Sequence, residues 1–297
     1  MVSKEMQNVI NLLRKQIEST ELSVKAIRDG LDLLSTLSKL PKDVKCEPVD
    51  AGGVPAEWIT TPNSINKNVI LYFHGGGFVA GSIKTHRDLV ARISRVSKAR
   101  ILIIDYKLAP EHPFPAGLDD CVTAYKWLIN DEKILPENII VGGDSAGGGL
   151  TVSLFAKLKE QRVTLPAAGV CLSPGVDVTM SGESYKTKVE VDPFLSPESC
   201  EFMLKQYLGN ADPRSPFLSI LTTDLEGFPP LLIQVGSSEI LLSDSILLAE
   251  RAKSAGVDVK LEIWDDMIHV FQAFATFAPE SREAIEKIGE FTQNFFA

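Results

Sequence analysis

Six short β-rich runs that alternate with longer helical stretches are the strongest constraint on how this chain folds. They are Val69 to Phe73, Arg100 to Ile104, Ile139 to Val141, Ala168 to Leu172, Leu231 to Val235 and Val259 to Ile263, separated by Gly and Pro turns. Strands alternating with helices predict an α/β architecture: a mostly parallel central sheet covered by helices on both faces. Such a sheet gathers functional groups at the carboxyl ends of its strands. Ahead of the first run, Val9, Leu12, Leu13 and Ile17, then Leu22, Ala26, Ile27, Leu31, Leu34 and Leu37, recur at helical spacing and predict two amphipathic helices. Between about Asp177 and Leu221 the alternation stops, and Gly182, Pro193, Pro197, Pro213 and Pro216 punctuate short helical pieces. This stretch reads as an insertion. Its Met180, Phe194, Leu195, Phe202, Met203 and Tyr207 either cover a pocket or pack the insertion onto the core.

Composition narrows the function classes. With 297 residues, 44% hydrophobic and 23% charged, the chain can fill one large core and solvate its surface. A net charge of −9 argues against a nucleic-acid or anionic-membrane surface, because both need clustered Lys and Arg. The polar start, Met1 to Gln7, has no apolar core of signal-peptide length, and no later stretch is long enough to span a bilayer. A cytoplasmic location is the expectation. Cys46, Cys121, Cys171 and Cys200 are scattered without paired spacing, which suits free thiols better than a disulfide framework or a zinc site.

The run Ile139 to Val141 leads into Gly143-Asp144-Ser145-Ala146-Gly147, which opens a helical stretch ending near Leu158. Small residues two before and two after the serine permit a turn so tight that its hydroxyl projects from the end of the sheet. The first run ends in a second glycine turn, His74-Gly75-Gly76-Gly77. Backbone N–H groups freed there can face Ser145 and hold an oxyanion.

A serine hydroxyl needs a base to act as a nucleophile at neutral pH, and the chain has four histidines. His74 belongs to the glycine turn, where its expected work is orienting backbone. His112 lies in a proline-stiffened loop, and His86 follows a polar turn where an exposed or locally bonded ring is expected. His269, in the loop after the last β-rich run, remains as the base. The carboxylate that orients it should leave a neighbouring strand. Glu239 ranks first because it directly follows Leu231 to Val235, and Asp244 ranks second as a residue better placed to cap the next helix. Asp265 and Asp266, near His269 only along the chain, come third.

Four boxes in this order, His74 to Gly77, Asp105-Tyr106-Lys107-Leu108-Ala109-Pro110-Glu111, Gly143 to Gly147 and Met267-Ile268-His269, resemble those of the bacterial hormone-sensitive-lipase-like carboxylesterases. The resemblance runs from about residue 45 to the C-terminus. It implies the α/β-hydrolase fold with a helical cap, the chain order Ser145, Glu239, His269 for the triad, and an oxyanion hole from the N–H groups of Gly76, Gly77 and Ala146. Two positions depart from the family pattern. Glu239-Ile240-Leu241 stands where relatives most often carry Asp-Pro-Leu, and Lys107 replaces a usual arginine.

The expectation is a serine carboxylesterase that cleaves short-acyl esters through an acyl-enzyme, with cap helices in residues 1–47 and a catalytic domain in 48–297 interrupted by the insertion at about 177–221. The chemistry calls for no cofactor and no metal. Expected partners are a small-molecule ester and, through the last strand and the helix from Pro279 to Phe296, a second copy in a homodimer. Neither nucleic acid nor stable membrane insertion is expected. The four boxes do not separate esters from thioesters, acetylated sugars or amides. A non-catalytic ligand receptor on the same fold is the reading from a different class, and the presence of His269 argues against it.

Overall fold

Each of the six β-rich runs is a strand in the computed structural model, which describes residues 2–17, 22–220 and 222–296. They lie in β3 (Ile65–Phe73), β4 (Ala99–Ile104), β5 (Ile139–Asp144), β6 (Ala168–Leu172), β7 (Leu231–Gly236) and β8 (Val259–Trp264). Two strands without a counterpart in the sequence reading, β1 (Lys45–Asp50) and β2 (Pro55–Thr60), extend the sheet to the order β1-β2-β4-β3-β5-β6-β7-β8. Both pair antiparallel, β1 with β2 and β2 with β4, whereas every pairing from β4 through β8 is parallel. Their sequences hide them for a physical reason. β1 is a mostly exposed edge strand carrying Pro48 and three charged residues, and β2 buries Glu57 against Arg87 at 2.6 Å.

The parallel register brings the two glycine-bearing turns together. Phe73 at the end of β3 pairs with Gly143 near the end of β5, and Asp144 pairs with Leu172 at the end of β6. One row over, Gly236 pairs with Trp264, so the loops leaving β7 and β8 also emerge side by side. Helix α5 (Ala146–Glu160) starts directly at the turn after β5. A Cβ at Gly147 would stand 1.9 Å from the carbonyl oxygen of Phe73, so only glycine lets this helix approach the sheet so closely.

Helices α4 (Ala116–Asn130) and α5 pack against one sheet face, where Leu118, Tyr125, Leu150 and Phe155 meet Leu71, Phe73 and Val141. On the other face, α3 (Ile83–Ser97) and the final helix contribute Leu89, Val90, Ile93, Ile285 and Ile288 over Ile70, Tyr72, Ile101 and Val170. The two predicted N-terminal helices are α1 (Lys4–Ile17) and α2 (Val24–Ser35). Helix α1 buries Met6, Val9, Ile10 and Leu13 against Phe271, Phe274 and Ala284. Helix α2 buries no residue fully and is held by Arg28, which donates to both Glu111 oxygens at 2.8 and 2.7 Å and to the carbonyls of Val79 and Ala109. The segment between β6 and β7 carries the short helix α6 (Ser184–Thr187) and α7 (Pro197–Leu208), with no ladder strand among the described residues. The limits expected for these segments at Met1, Leu221 and Ala297 lie outside the described residues.

After α8 (Leu242–Ser254) and β8, the chain closes with α9 (Pro279–Gln293). Ala284, Ile285, Ile288 and Phe291 are buried in the chain's own core, and Phe295 and Phe296 are half-buried against it. The apolar faces of this helix are therefore used internally, contrary to the expectation that they serve a second copy. No helix among the described residues is long and apolar enough to cross a membrane.

Candidate active site

At the turn between β5 and α5, Ser145 adopts φ 53° and ψ −120°, a left-sided conformation that costs an L-residue about 1–3 kcal/mol. The turn aims its hydroxyl away from the sheet. Its Oγ lies 2.9 Å from His269 Nε2, and His269 Nδ1 lies 2.7 Å from Glu239 Oε2. The other Glu239 oxygen accepts the Ser173 hydroxyl at 2.8 Å and the Gly236 N–H at 2.6 Å. Ser173 Oγ also accepts the N–H of Val270 at 3.1 Å, so one serine ties the acid to the histidine loop. A carboxylate only accepts, so Nδ1 carries the proton and Nε2 offers its lone pair to the Ser145 hydroxyl. Burial disfavours a charged His269 ring, but the hydrogen bond and charge of Glu239, with Asp192 and Asp144 beyond it, outweigh burial and set its pKa above the ordinary value.

Asp244 does not reach His269. Its buried carboxylate accepts the N–H groups of Val176 and Asp177 at 2.9 and 3.0 Å, and burial pushes its pKa up to about 7. Nor does it cap its own helix, as the sequence suggested: α8 has no side-chain cap, and the carboxylate secures the loop after β6 instead. Asp265 and Asp266 are exposed, and the Asp266 N–H donates to Ser237 Oγ at 2.8 Å.

Gly76 and Gly77 take φ values of 120° and 60°. Among the described residues their N–H groups, and that of Ala146, meet no acceptor, and all three residues border the cavity into which Ser145 opens. Cavity-facing donors without partners suit an anion. His74 orients this turn as expected. Its Nδ1 donates to the Gly75 carbonyl at 2.8 Å, its ring stacks on Tyr106 at 4.3 Å, and the Tyr106 hydroxyl donates to the His74 carbonyl at 2.7 Å. Burial and the neighbouring His86 lower its pKa to about 3, so the ring is neutral. His112 is exposed. His86 is not, and beyond its local bonds it reaches Asp144 at 3.3 Å. Lys107 pairs with Asp120 Oδ1 at 2.7 Å while its N–H takes Oδ2 at 2.9 Å, so the lysine braces the loop through one carboxylate.

The cavity is about 850 Å³. Tyr185, Leu195, Cys200, Met203 and Leu241 line it, as do Ile27, Leu31, Leu34, Ala273, Phe274 and Phe277. Phe194 also lines it, with its ring 5.8 Å from that of His269. Of the insertion residues expected near the serine, Phe194 and Met203 border the cavity, whereas Phe202 packs against the core and does not.

Residues 70–273 match the family model described as α/β hydrolase fold. The chain belongs to the α/β-hydrolase family. An acetyl-hydrolase of Streptomyces hygroscopicus is 36% identical to this hydrolase over 295 residues, covering 98% of this chain and 97% of that one. An esterase of Acinetobacter venetianus is also 36% identical, covering 91% and 89%. The crystal structure of an esterase from the bacterial hormone-sensitive lipase family superposes with a TM-score of 0.97 at 43% identity over the whole of both chains. The structure of the esterase EstE5 soaked with p-nitrophenyl butyrate gives 0.94 at 42% identity, covering 99% of each. The hydrolase falls within the hormone-sensitive-lipase-like branch and is a carboxylic ester hydrolase.

The sequence reading assigned no role to Ser173, Asp144, Asp192 or His86. Ser173 had a usable signal, since it directly follows β6 at the carboxyl edge of the sheet. The others are connected by side-chain geometry across distant segments.

Proposed function

We propose that the hydrolase cleaves short-acyl carboxylic esters through an acyl-enzyme on Ser145. The unbroken chain of hydrogen bonds from Glu239 through His269 to Ser145 carries this reading. As Ser145 Oγ attacks the ester carbonyl, His269 Nε2 takes its proton, and the Glu239 charge stabilises the imidazolium. The N–H groups of Gly76, Gly77 and Ala146 receive the oxyanion, each contributing about a hundredfold or more in rate. His269 then returns the proton to the leaving alcohol, and water releases the acid by the same steps. These steps use no metal and no organic cofactor. A receptor role is disfavoured because its ligand would have no use for a base bonded to the serine. Four unpaired thiols, three of them buried, support a cytoplasmic setting.

Residues 1–47 and the insertion at about 177–221 together form the proposed cap over the domain 48–297. The leaving alcohol must sit at His269 Nε2. The acyl chain is assigned to the side of the cavity lined by Met203, which lies against the oxyanion turn, since a Cβ at Gly77 would stand 2.2 Å from its sulfur. A homodimer through the β8 edge, which among the described residues pairs with β7 alone and leaves Ile263 44% exposed, completes the proposal.

Glu239→Gln is expected to lower kcat by roughly three orders of magnitude, because the imidazolium loses its counter-charge. The pH profile supplies the sign: His269 must be neutral and its pKa is raised, so kcat/KM falls as pH drops through a value above 6.5, and Glu239→Gln moves this limb to lower pH. Asp244→Asn costs far less and leaves the limb in place; the reverse ranking would transfer the acid's role to Asp244. With p-nitrophenyl esters from acetyl to palmitoyl, rates peak at roughly acetyl to hexanoyl, and Met203→Ala shifts the optimum to longer chains. An optimum at palmitoyl in the unmodified protein, with monomeric substrate, contradicts a short acyl site beside Met203. Light scattering at micromolar concentration gives a dimer mass, lost in Lys260→Pro with the fold retained; a monomer mass rules the β8 contact out.

A further inference from the structure

A second carboxylate–histidine pair, Asp144 with His86, stands beside Ser145, and its hydrogen-bond partners bear on its charge. His86 Nδ1 lies 2.8 Å from Thr85 Oγ1 and 3.3 Å from the Ser82 carbonyl oxygen. The Thr85 hydroxyl also reaches that carbonyl at 2.9 Å, and of the two groups at Nδ1 the carbonyl oxygen is the one that can only accept. The other ring nitrogen, Nε2, lies 3.3 Å from Asp144 Oδ2. Both nitrogens thus face acceptors, and a neutral imidazole would aim a lone pair at one of them. The nearby His74, 5.5 Å away ring to ring, is neutral and adds no repulsion.

Asp144 is the residue before the nucleophile and is almost fully buried. Its Oδ1 accepts the Tyr72 hydroxyl at 2.8 Å, and its Oδ2 lies against the glycine turn, where a Cβ at Gly75 would stand 2.2 Å from it. The carboxylate therefore connects the two segments whose N–H groups border the cavity. A bare negative charge there would oppose the oxyanion.

We propose that His86 carries a positive charge at neutral pH and that the Asp144–His86 ion pair positions the Ser145 turn against the Gly75–Gly77 turn while cancelling the carboxylate's charge. Both are positioning residues, and the proposal rests on the ester-hydrolysis reading of this site. Burial works against the charged ring, but Asp144 from β5, with the Ser82 carbonyl and Asp105, raises the His86 pKa. Asp105 itself accepts the N–H of Ile83 at the start of α3, at 2.7 Å. Among the groups that face the ring, Asp144 has its pKa lowered, its burial being outweighed by His86 and Tyr72, Asp105 has its pKa raised by burial, and His74 is neutral. The sign follows. The charged state holds below the raised pKa and is lost as pH rises through it, so kcat declines on the alkaline side while KM, set before charge develops, stays level.

The test reads charge and rate separately. Long-range ¹H–¹⁵N NMR of the full-length protein at pH 7, with His86→Asn for assignment, is expected to show both His86 nitrogens protonated. This readout does not depend on catalysis. His86→Gln lowers kcat about tenfold, leaves KM unchanged and removes the alkaline decline; adding Asp144→Asn restores much of the loss, because the unpaired buried carboxylate is gone. A neutral His86 ring at pH 7, an unaltered pH profile in His86→Gln, or a double variant no faster than the single overturns the proposal. Should His86→Gln not fold, the NMR result on the unsubstituted protein decides. Phosphonate labelling of Ser145 in the unsubstituted protein reports on the ester-hydrolysis reading alone, so the two can fail independently.

Discussion

The carboxylate of Glu239 has no exposed surface, and burying it is costly unless each lone pair finds a donor. Its three donors come from three strand ends: Gly236 closing β7, Ser173 after β6 and His269 after β8. The group that orients the imidazole is thus also the one that ties three loops at the carboxyl edge of the sheet. Removal of its charge disturbs tautomer, loop position and imidazolium stability together. The extra methylene relative to aspartate is accommodated because the backbone N–H of Gly236, three residues earlier, turns back to the carboxylate.

Three buried or half-buried histidines within one site differ in their hydrogen-bond partners. His74 has one acceptor and a stacking partner, so burial wins and the ring stays neutral. His269 has one carboxylate on one nitrogen and a hydroxyl on the other, which leaves it poised to gain a proton. His86 meets acceptors on both sides. Partner count, rather than depth of burial, separates the three.

The sheet was legible because its central strands are apolar runs between Gly and Pro turns, and the serine turn because small residues flank it. Strand ends pointed to the proposed triad, with Glu239 preferred over Asp244 on adjacency to β7, and it is Glu239 that bonds His269. Strands β1 and β2 were hidden, since an exposed edge and a buried ion pair erase the apolar pattern. Asp244 misled as a helix cap because its bonding partners, Val176 and Asp177, are nearly seventy residues away. For the same reason nothing local distinguished Phe202, facing the core, from Met203, facing the cavity. The last helix shows the limit of counting apolar residues: its aromatic end folds back on the chain's own core.

The central claim is that Ser145 is the nucleophile and that the N–H groups of Gly76, Gly77 and Ala146 receive the oxyanion. A crystal structure of the protein reacted with a short-chain organophosphonate tests it most directly. The account predicts a single covalent adduct on Ser145 Oγ, with the phosphoryl oxygen within hydrogen-bonding distance of those three N–H groups and His269 Nε2 facing the leaving-group position. An adduct on another serine, or a phosphoryl oxygen turned away from the glycine turn, would contradict it.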